Sequence, residues 1–278
     1  MRLFNKVTFS VFVIAVVMAG CSPNNVTKDA MPAKYFDSSQ LNGCFALNDN
    51  GTGEFTIYNL ERYRDSSYLP ASTFKIVNSL IAIETGRVLN ENTVFPWSGK
   101  WYTTDDGDTM HAWCKDLTFK EAFAVSAVPV YQQVARSIGK DTMQLWLDSL
   151  SYGTKKIIGP VDSFWLNNNL LIKPDEQLGL VKKLYFGQLP FQKRTQDIVK
   201  KMMIREQNSQ YTLAFKTGLG TTPAGKQLAW MTGWIEENKH VYFFVLNAEA
   251  DKAVNMVTAR ETVFRKIMTE YGFFQGKK

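Results

Sequence analysis

Leu69-Pro70-Ala71-Ser72-Thr73-Phe74-Lys75 sets a hydroxyl and an amine three residues apart where a helix should begin. Pro70 fixes φ near a helical value. The residues that follow are apolar at helical spacing: Phe74, Val77 and Ile81, with Ile76, Leu80 and Ile83 beside them. Gly86 can end the run. Residues three apart on a helix have Cβ atoms roughly 5–6 Å from each other, so Ser72 and Lys75 can meet on one face. A serine becomes a nucleophile when a neighbouring base takes its proton, and a partly desolvated lysine can be that base. The same spelling also fits a helix cap followed by a solvated lysine, so the pair decides nothing alone.

Further along, other motifs follow in a telling order. Ser126-Ala127-Val128 closes an amphipathic helix just before Pro129. Tyr152-Gly153 and Asp162-Ser163-Phe164-Trp165-Leu166 come next, then Lys216-Thr217-Gly218 ahead of Gly233-Trp234. A serine-lysine pair, a middle serine motif and K-T-G mark the penicillin-recognising serine enzymes. With the Ser-x-Val and Phe-Trp-Leu spellings added, the chain resembles the class D (oxacillinase-type) β-lactamases from about Leu41 to Met268.

The resemblance implies roles that physical chemistry makes sensible. Ser72 attacks the β-lactam carbonyl and becomes acylated. Lys75 is expected to react with carbon dioxide and become N-carboxylated, for which its amine must be neutral, and an apolar wall of Phe74, Val128, Trp165 and Leu166 would lower its pKa. The product acts as a carboxylate-like base for Ser72 and then for the deacylating water. Trp165, whose indole N–H only donates, matches the tryptophan that steadies that group. Ser126 relays a proton to the lactam nitrogen with Lys216 beside it. Lys216-Thr217-Gly218 is expected on an edge strand where an acylamide could add, and Gly218 leaves room for it. The backbone N–H groups of Ser72 and Leu219 would form an oxyanion hole. Arg260, with Thr217 as its expected partner, matches the arginine that grips the substrate carboxylate. One motif departs: Tyr152-Gly153-Thr154 stands where the family usually has Tyr-Gly-Asn, which bears on loop geometry and substrate preference.

Composition is consistent with a folded enzyme. The chain has 278 residues, 45% of them hydrophobic, enough for a substantial core. Its net charge of +6 is spread over pairs such as Lys155-Lys156 and Lys200-Lys201, which read as solvated faces and not as a nucleic-acid stripe. His111 and His240 are the only histidines and no C-x-x-C occurs, which argues against catalytic zinc and against a Ser-His-Asp triad. No cofactor is expected apart from carbon dioxide for Lys75.

Residues 1–21 read as a signal peptide. Arg2 and Lys6 precede the apolar stretch Val11–Ala19, which is too short to span a bilayer stably. Met18-Ala19-Gly20-Cys21 looks like a bacterial lipoprotein processing site, so Cys21 is a candidate for lipidation and the enzyme for a periplasmic membrane tether. Ordinary cleavage and release stays open. Residues 22–38 are polar and read as a flexible tether. Cys44 and Cys114 could pair in an oxidising compartment or stay free.

The expected fold is α/β (α+β): an antiparallel β-sheet flanked by helices, with a mainly helical lobe inserted at about 88–205, within a domain of 39–278. Strands are expected at Asn42–Leu47 and Phe55–Asn59, and again at Tyr211–Lys216, Leu228–Glu236 and Val241–Ala248. A helix of about Val254–Tyr271 packs back on them. In the lobe, Thr118 with Glu121 makes a capping box, and Asp141 caps a helix starting at Thr142. Two functions other than hydrolysis share these motifs. A β-lactam sensor would acylate without turnover, and a peptidoglycan transpeptidase would normally be longer and membrane-linked. Turnover separates them from a hydrolase.

Overall fold

The strand Gln227–Glu237 is apolar on both faces, so both must be covered. Leu228, Trp230 and Trp234 enter one core, while Ala229, Met231 and Ile235 enter another. The computed structural model, which describes residues 25–103 and 107–278, meets that demand with a sheet between two layers of helix. The chain begins with β1 (Val26–Lys28), α1 (Ala33–Ser38), β2 (Asn42–Asp49), β3 (Phe55–Tyr58) and α2 (Leu60–Asp65). A 3-10 turn, Ala71–Phe74, leads into α3 (Lys75–Glu84). The small strands β4 (Val94–Phe95) and β5 (Leu117–Thr118) form a separate ribbon. Five helices follow: α4 (Phe119–Ala124), α5 (Val128–Ile138), α6 (Lys140–Leu150), α7 (Pro174–Tyr185) and α8 (Lys193–Met203). The chain then returns to β6 (Ile204–Gln207), β7 (Tyr211–Thr221), β8 (Gln227–Glu237) and β9 (His240–Ala250), and closes with α9 (Met256–Glu270).

The seven-stranded sheet has the order β1-β3-β2-β9-β8-β7-β6, so its two halves come from opposite ends of the chain. Phe36 of α1 and Val263, Phe264, Ile267 and Met268 of α9 fill the core on one face. Residues of α3, α5, α7 and α8 fill the other. The β8–β9 hairpin turns on Asn238 and Lys239, both at positive φ, a geometry that matches the strand twist. The Thr118–Glu121 capping box forms as its spelling predicts.

Several expectations need correction. The sheet is antiparallel except for β1, which runs parallel to β3. Within the span read as a tether, residues from Val26 onward form β1 and α1. Polar composition misled there because one residue, Phe36, anchors the helix: it is fully buried and packs on Tyr58, with ring centroids 5.0 Å apart. The signal peptide, Cys21 and residues 22–24 lie outside the described residues. Asp141 does not cap α6. The helix starts at Lys140 directly from Gly139 at φ +82°, which leaves Asp141 in the first turn, where a carboxylate still favours the helix dipole. Cys44 and Cys114 are both free thiols.

Candidate active site

Ser72 lies in the 3-10 turn and Lys75 is the first residue of α3. The apolar spacing predicts an α-helix here, in which the two side chains would be offset by about 60°. In a 3-10 turn residues i and i+3 eclipse. Lys75 Nζ accordingly donates a hydrogen bond of 2.7 Å to Ser72 Oγ. The turn is strained: Ala71 sits at φ +47°, which costs a residue with a Cβ roughly 1–2 kcal/mol. Three bonds hold it in place. Thr73 N and Oγ1 donate to Pro70 O at 3.1 and 2.6 Å, and Trp230 Nε1 donates to Leu69 O at 2.8 Å.

Burial sets the chemistry of Lys75. The side chain is fully enclosed, and desolvation lowers its amine from 10.5 to about 7. Phe74 packs around the turn, stacked on Trp165 at 5.3 Å and edge-on to Phe164 and Tyr152. Trp165 is fully buried and its Nε1 has no hydrogen-bond partner. A buried donor without an acceptor costs about 1–3 kcal/mol, so this indole N–H is fitted to an acceptor that the unmodified side chains do not supply. Val128, the first residue of α5, and Leu166, which follows Trp165, are both half-buried.

A second amine–hydroxyl pair lies across from the first. Lys216 Nζ donates to Ser126 Oγ at 2.5 Å and to Thr217 O at 3.0 Å. Ser126 has φ +57° in the short link between α4 and α5. Lys216 is fully buried, and its amine is pushed well below its ordinary value, first by desolvation and then by the charges of Lys75, Arg205 and Arg260. Arg260 is also buried, and burial lowers its guanidinium to about 10. Its Nη1 donates to Gly218 O at 3.0 Å while its Nε has no partner. The arginine thus bonds the carbonyl of Gly218 and not Thr217, although Thr217 shares the α9 face of the sheet with its cross-strand partner Met231. None of Lys75, Arg205, Lys216 or Arg260 forms an ion pair with a carboxylate among the described residues. Such a cation-rich cleft is suited to an anionic ligand.

The edge of the cleft is open, though not as the sequence predicts. β7 is not the last strand, since β6 lies outside it. β6 pairs only with Thr212–Ala214, so Lys216–Leu219 has β8 on one side and no strand on the other. This free stretch lies against the 3-10 turn: a Cβ on Gly218 would fall 3.0 Å from Pro70 O and 3.4 Å from Ser72 N. Leu219 is exposed at its end. His111 and His240 are exposed, and no cluster of metal-ligating side chains occurs among the described residues. Burial pushes the Cys44 thiol up to about 12, leaving it inert.

Other supporting residues were not anticipated. Gln177 Nε2 donates to Thr73 Oγ1 and to Tyr152 Oη, at 2.5 and 3.3 Å. Ser79 Oγ bonds Tyr131 Oη at 2.8 Å, and Asn78 Nδ2 donates to Tyr131 O at 3.3 Å. Two polar residues inside the apolar α3, Asn78 and Ser79, were the signal for that network. Thr154, the departure from the family spelling, closes its loop through Leu171: its N–H donates to Leu171 O at 2.9 Å, and its hydroxyl accepts from Leu171 N at 3.2 Å. The hydroxyl does here what a side-chain carbonyl could also do.

Comparison with known proteins agrees with this geometry. Residues 29–269 match the penicillin binding protein transpeptidase domain. The chain is 36% identical to β-lactamase OXA-19 of Pseudomonas aeruginosa over 97% of its length and 99% of the relative's. It is 40% identical to β-lactamase OXA-48 of Klebsiella pneumoniae over 77% of its length and 78% of the relative's. Among solved structures, the class D β-lactamase FUS-1 (OXA-85) of Fusobacterium nucleatum subsp. polymorphum superposes with a TM-score of 0.82 at 32% identity, covering 90% of this chain and 100% of that one. With identity at this level over nearly the full length, the chain belongs to the class D (OXA-type) serine β-lactamases.

Proposed function

We propose that this enzyme hydrolyses β-lactams through an ester on Ser72, with N-carboxylated Lys75 as general base for both formation and breakdown of that ester. One observation carries the reading: a fully buried lysine with no counter-charge among the described residues contacts the serine hydroxyl, and the preceding residue, Phe74, stacks on an indole whose N–H lacks an acceptor. A lysine amine lowered to about 7 is largely neutral in the form that captures carbon dioxide. Once added, the carboxyl group supplies a base and an acceptor that Trp165 is fitted to hold. Ser72 Oγ bonds to the lactam carbonyl carbon as its proton leaves toward Lys75. Ser126 gives its own proton to the lactam nitrogen as the C–N bond breaks, and Lys216 reprotonates Ser126. The proton taken up by the Lys75 carboxylate passes to Lys216, restoring both groups. Water then bonds to the ester carbonyl carbon as its proton goes to the Lys75 carboxylate, and that proton returns to Ser72 Oγ as the acyl C–O bond breaks, releasing a substituted β-amino acid. Arg260 and Lys216 receive the substrate carboxylate, the Lys216–Leu219 edge takes the acylamide, and the N–H groups of Ser72 and Leu219 hold the oxyanion. The leader adds a periplasmic location to this proposal.

Purified protein mixed with excess chromogenic cephalosporin should give many turnovers per molecule, whereas a single stoichiometric burst would mark a sensor or a penicillin-binding protein. Stripping carbon dioxide at mildly acid pH should slow turnover and bicarbonate should restore it. No response to bicarbonate in the stripped sample would end the carboxylated-lysine part of the proposal.

A further inference from the structure

Arg205 is a half-buried cation that the hydrolytic roles above leave unused. It lies where the β6–β7 register shifts between Ile204 and Glu206, so it is the extra residue of a bulge. Bulges re-aim a side chain and are common beside active sites. From there the guanidinium reaches both chain segments of the second amine–hydroxyl pair. Nε donates to the carbonyl of Phe215, the residue before Lys216, at 3.3 Å. Nη2 lies 3.5 Å from the carbonyl of Phe123, which also accepts from Ser126 N at 3.3 Å. The guanidinium lies over the rings of both phenylalanines, 5.7 Å from Phe123 and 5.8 Å from Phe215, and Lys216 Nζ lies 5.5 Å from the Phe123 ring. No carboxylate pairs with Arg205 among the described residues. A guanidinium partly withdrawn from water with no carboxylate beside it presents its charge to its neighbours.

We propose that Arg205 is a positioning residue for proton delivery by Ser126 and Lys216, joining the two segments that carry them and setting a fixed positive charge beside the Lys216 amine. This rests on the hydrolytic reading above. The charged groups facing Lys216 are Lys75 of α3, Arg205 of β6 and Arg260 of α9. Carboxylation turns Lys75 into an anion, which leaves Arg205 and Arg260 as the cations that disfavour the ammonium form. A lysine that must hand a proton to Ser126 and take it back works best when its two forms are close in free energy. Removing the Arg205 charge makes Lys216 hold its proton to higher pH. The acid side of the profile, set by Lys75, should stay in place, because burial alone lowers that amine.

The test is the pH dependence of kcat/KM in bicarbonate for Arg205→Gln and Arg205→Lys. Arg205→Gln keeps donors but not charge, and its alkaline limb should move upward by about half to one pH unit. Arg205→Lys keeps the charge but not the two-pronged fork, so the limb should stay while kcat/KM falls about 3- to 10-fold. An unmoved alkaline limb in Arg205→Gln overturns the inference, even if the rate falls. Should Arg205→Gln not fold, Arg205→Lys decides, since a kcat/KM within about twofold of wild type removes the clamp. A wild-type protein that gains no mass on Ser72 from a β-lactam overturns the hydrolytic reading itself, and the Arg205 inference with it.

Discussion

Lys75 meets no carboxylate among the described residues and is fully buried, so a charge on it is costly. Its folded pKa, about 7, lies below the 10.5 expected when unfolded, so between those values the unfolded chain binds more protons. Stability of the uncarboxylated protein therefore rises with pH across that window, and below about pH 7 the full penalty applies. Lys75→Met should abolish turnover and raise stability at pH 6 by about 1–3 kcal/mol, read by urea denaturation. Lys75→Ala should accumulate any acyl-enzyme that forms, and Ser72→Ala should form none, both visible by mass spectrometry. Trp165→Phe keeps the stacking on Phe74 but loses the donor. Its turnover should fall at least tenfold in air and recover in part with added bicarbonate, reflecting a donor to a charged group worth about 1.5–3 kcal/mol.

Among the elements, most of the fold was legible because its signals are local. The capping box, the apolar stripe of α5 before Gly139, and the apolar runs of the central strands each need only a few neighbouring residues. What escaped notice depends on distant partners. β1 becomes a strand only because β3 offers it an edge, and the free stretch of β7 exists only because β6 begins at Ile204, opposite Ala214. The 3-10 turn at Ser72 could not be read from apolar spacing, since Leu69 O and Pro70 O, held by Trp230 and Thr73, fix it. Motif residues were nameable from resemblance, whereas Arg205 belongs to no motif and was visible only once β6 and α4 came together. Gly153→Ala tests the loop around Thr154. Its φ is +50° and a Cβ would lie 2.0 Å from Leu171 O, so a loss of about 2–4 kcal/mol in thermal or urea unfolding is expected. Gly218→Ala should cost less stability than Gly153→Ala but lower kcat/KM, because its Cβ crowds Pro70 O at 3.0 Å and Ser72 N at 3.4 Å.

Over the whole molecule, the site lies where the sheet meets the helical layer: Ser72 and Lys75 from the 3-10 turn and α3, Lys216 from β7, Arg260 from α9 and Ser126 from the α4–α5 link. The layer of α1 and α9 on the far face supports β8 and β9 from behind. Phe36→Ala should therefore cost about 3–5 kcal/mol in chemical denaturation although Phe36 is far along the chain from every catalytic candidate.

The pairing of β2 with β9, Asn42 against Glu249 and Cys44 against Asn247, joins stretches about two hundred residues apart. A nascent chain cannot close its sheet until nearly all of it has been made. Lys216 on β7 and Arg260 on α9 likewise reach Ser72 only after the C-terminal third exists, so the capacity to open a β-lactam ring is the last thing the growing polypeptide acquires.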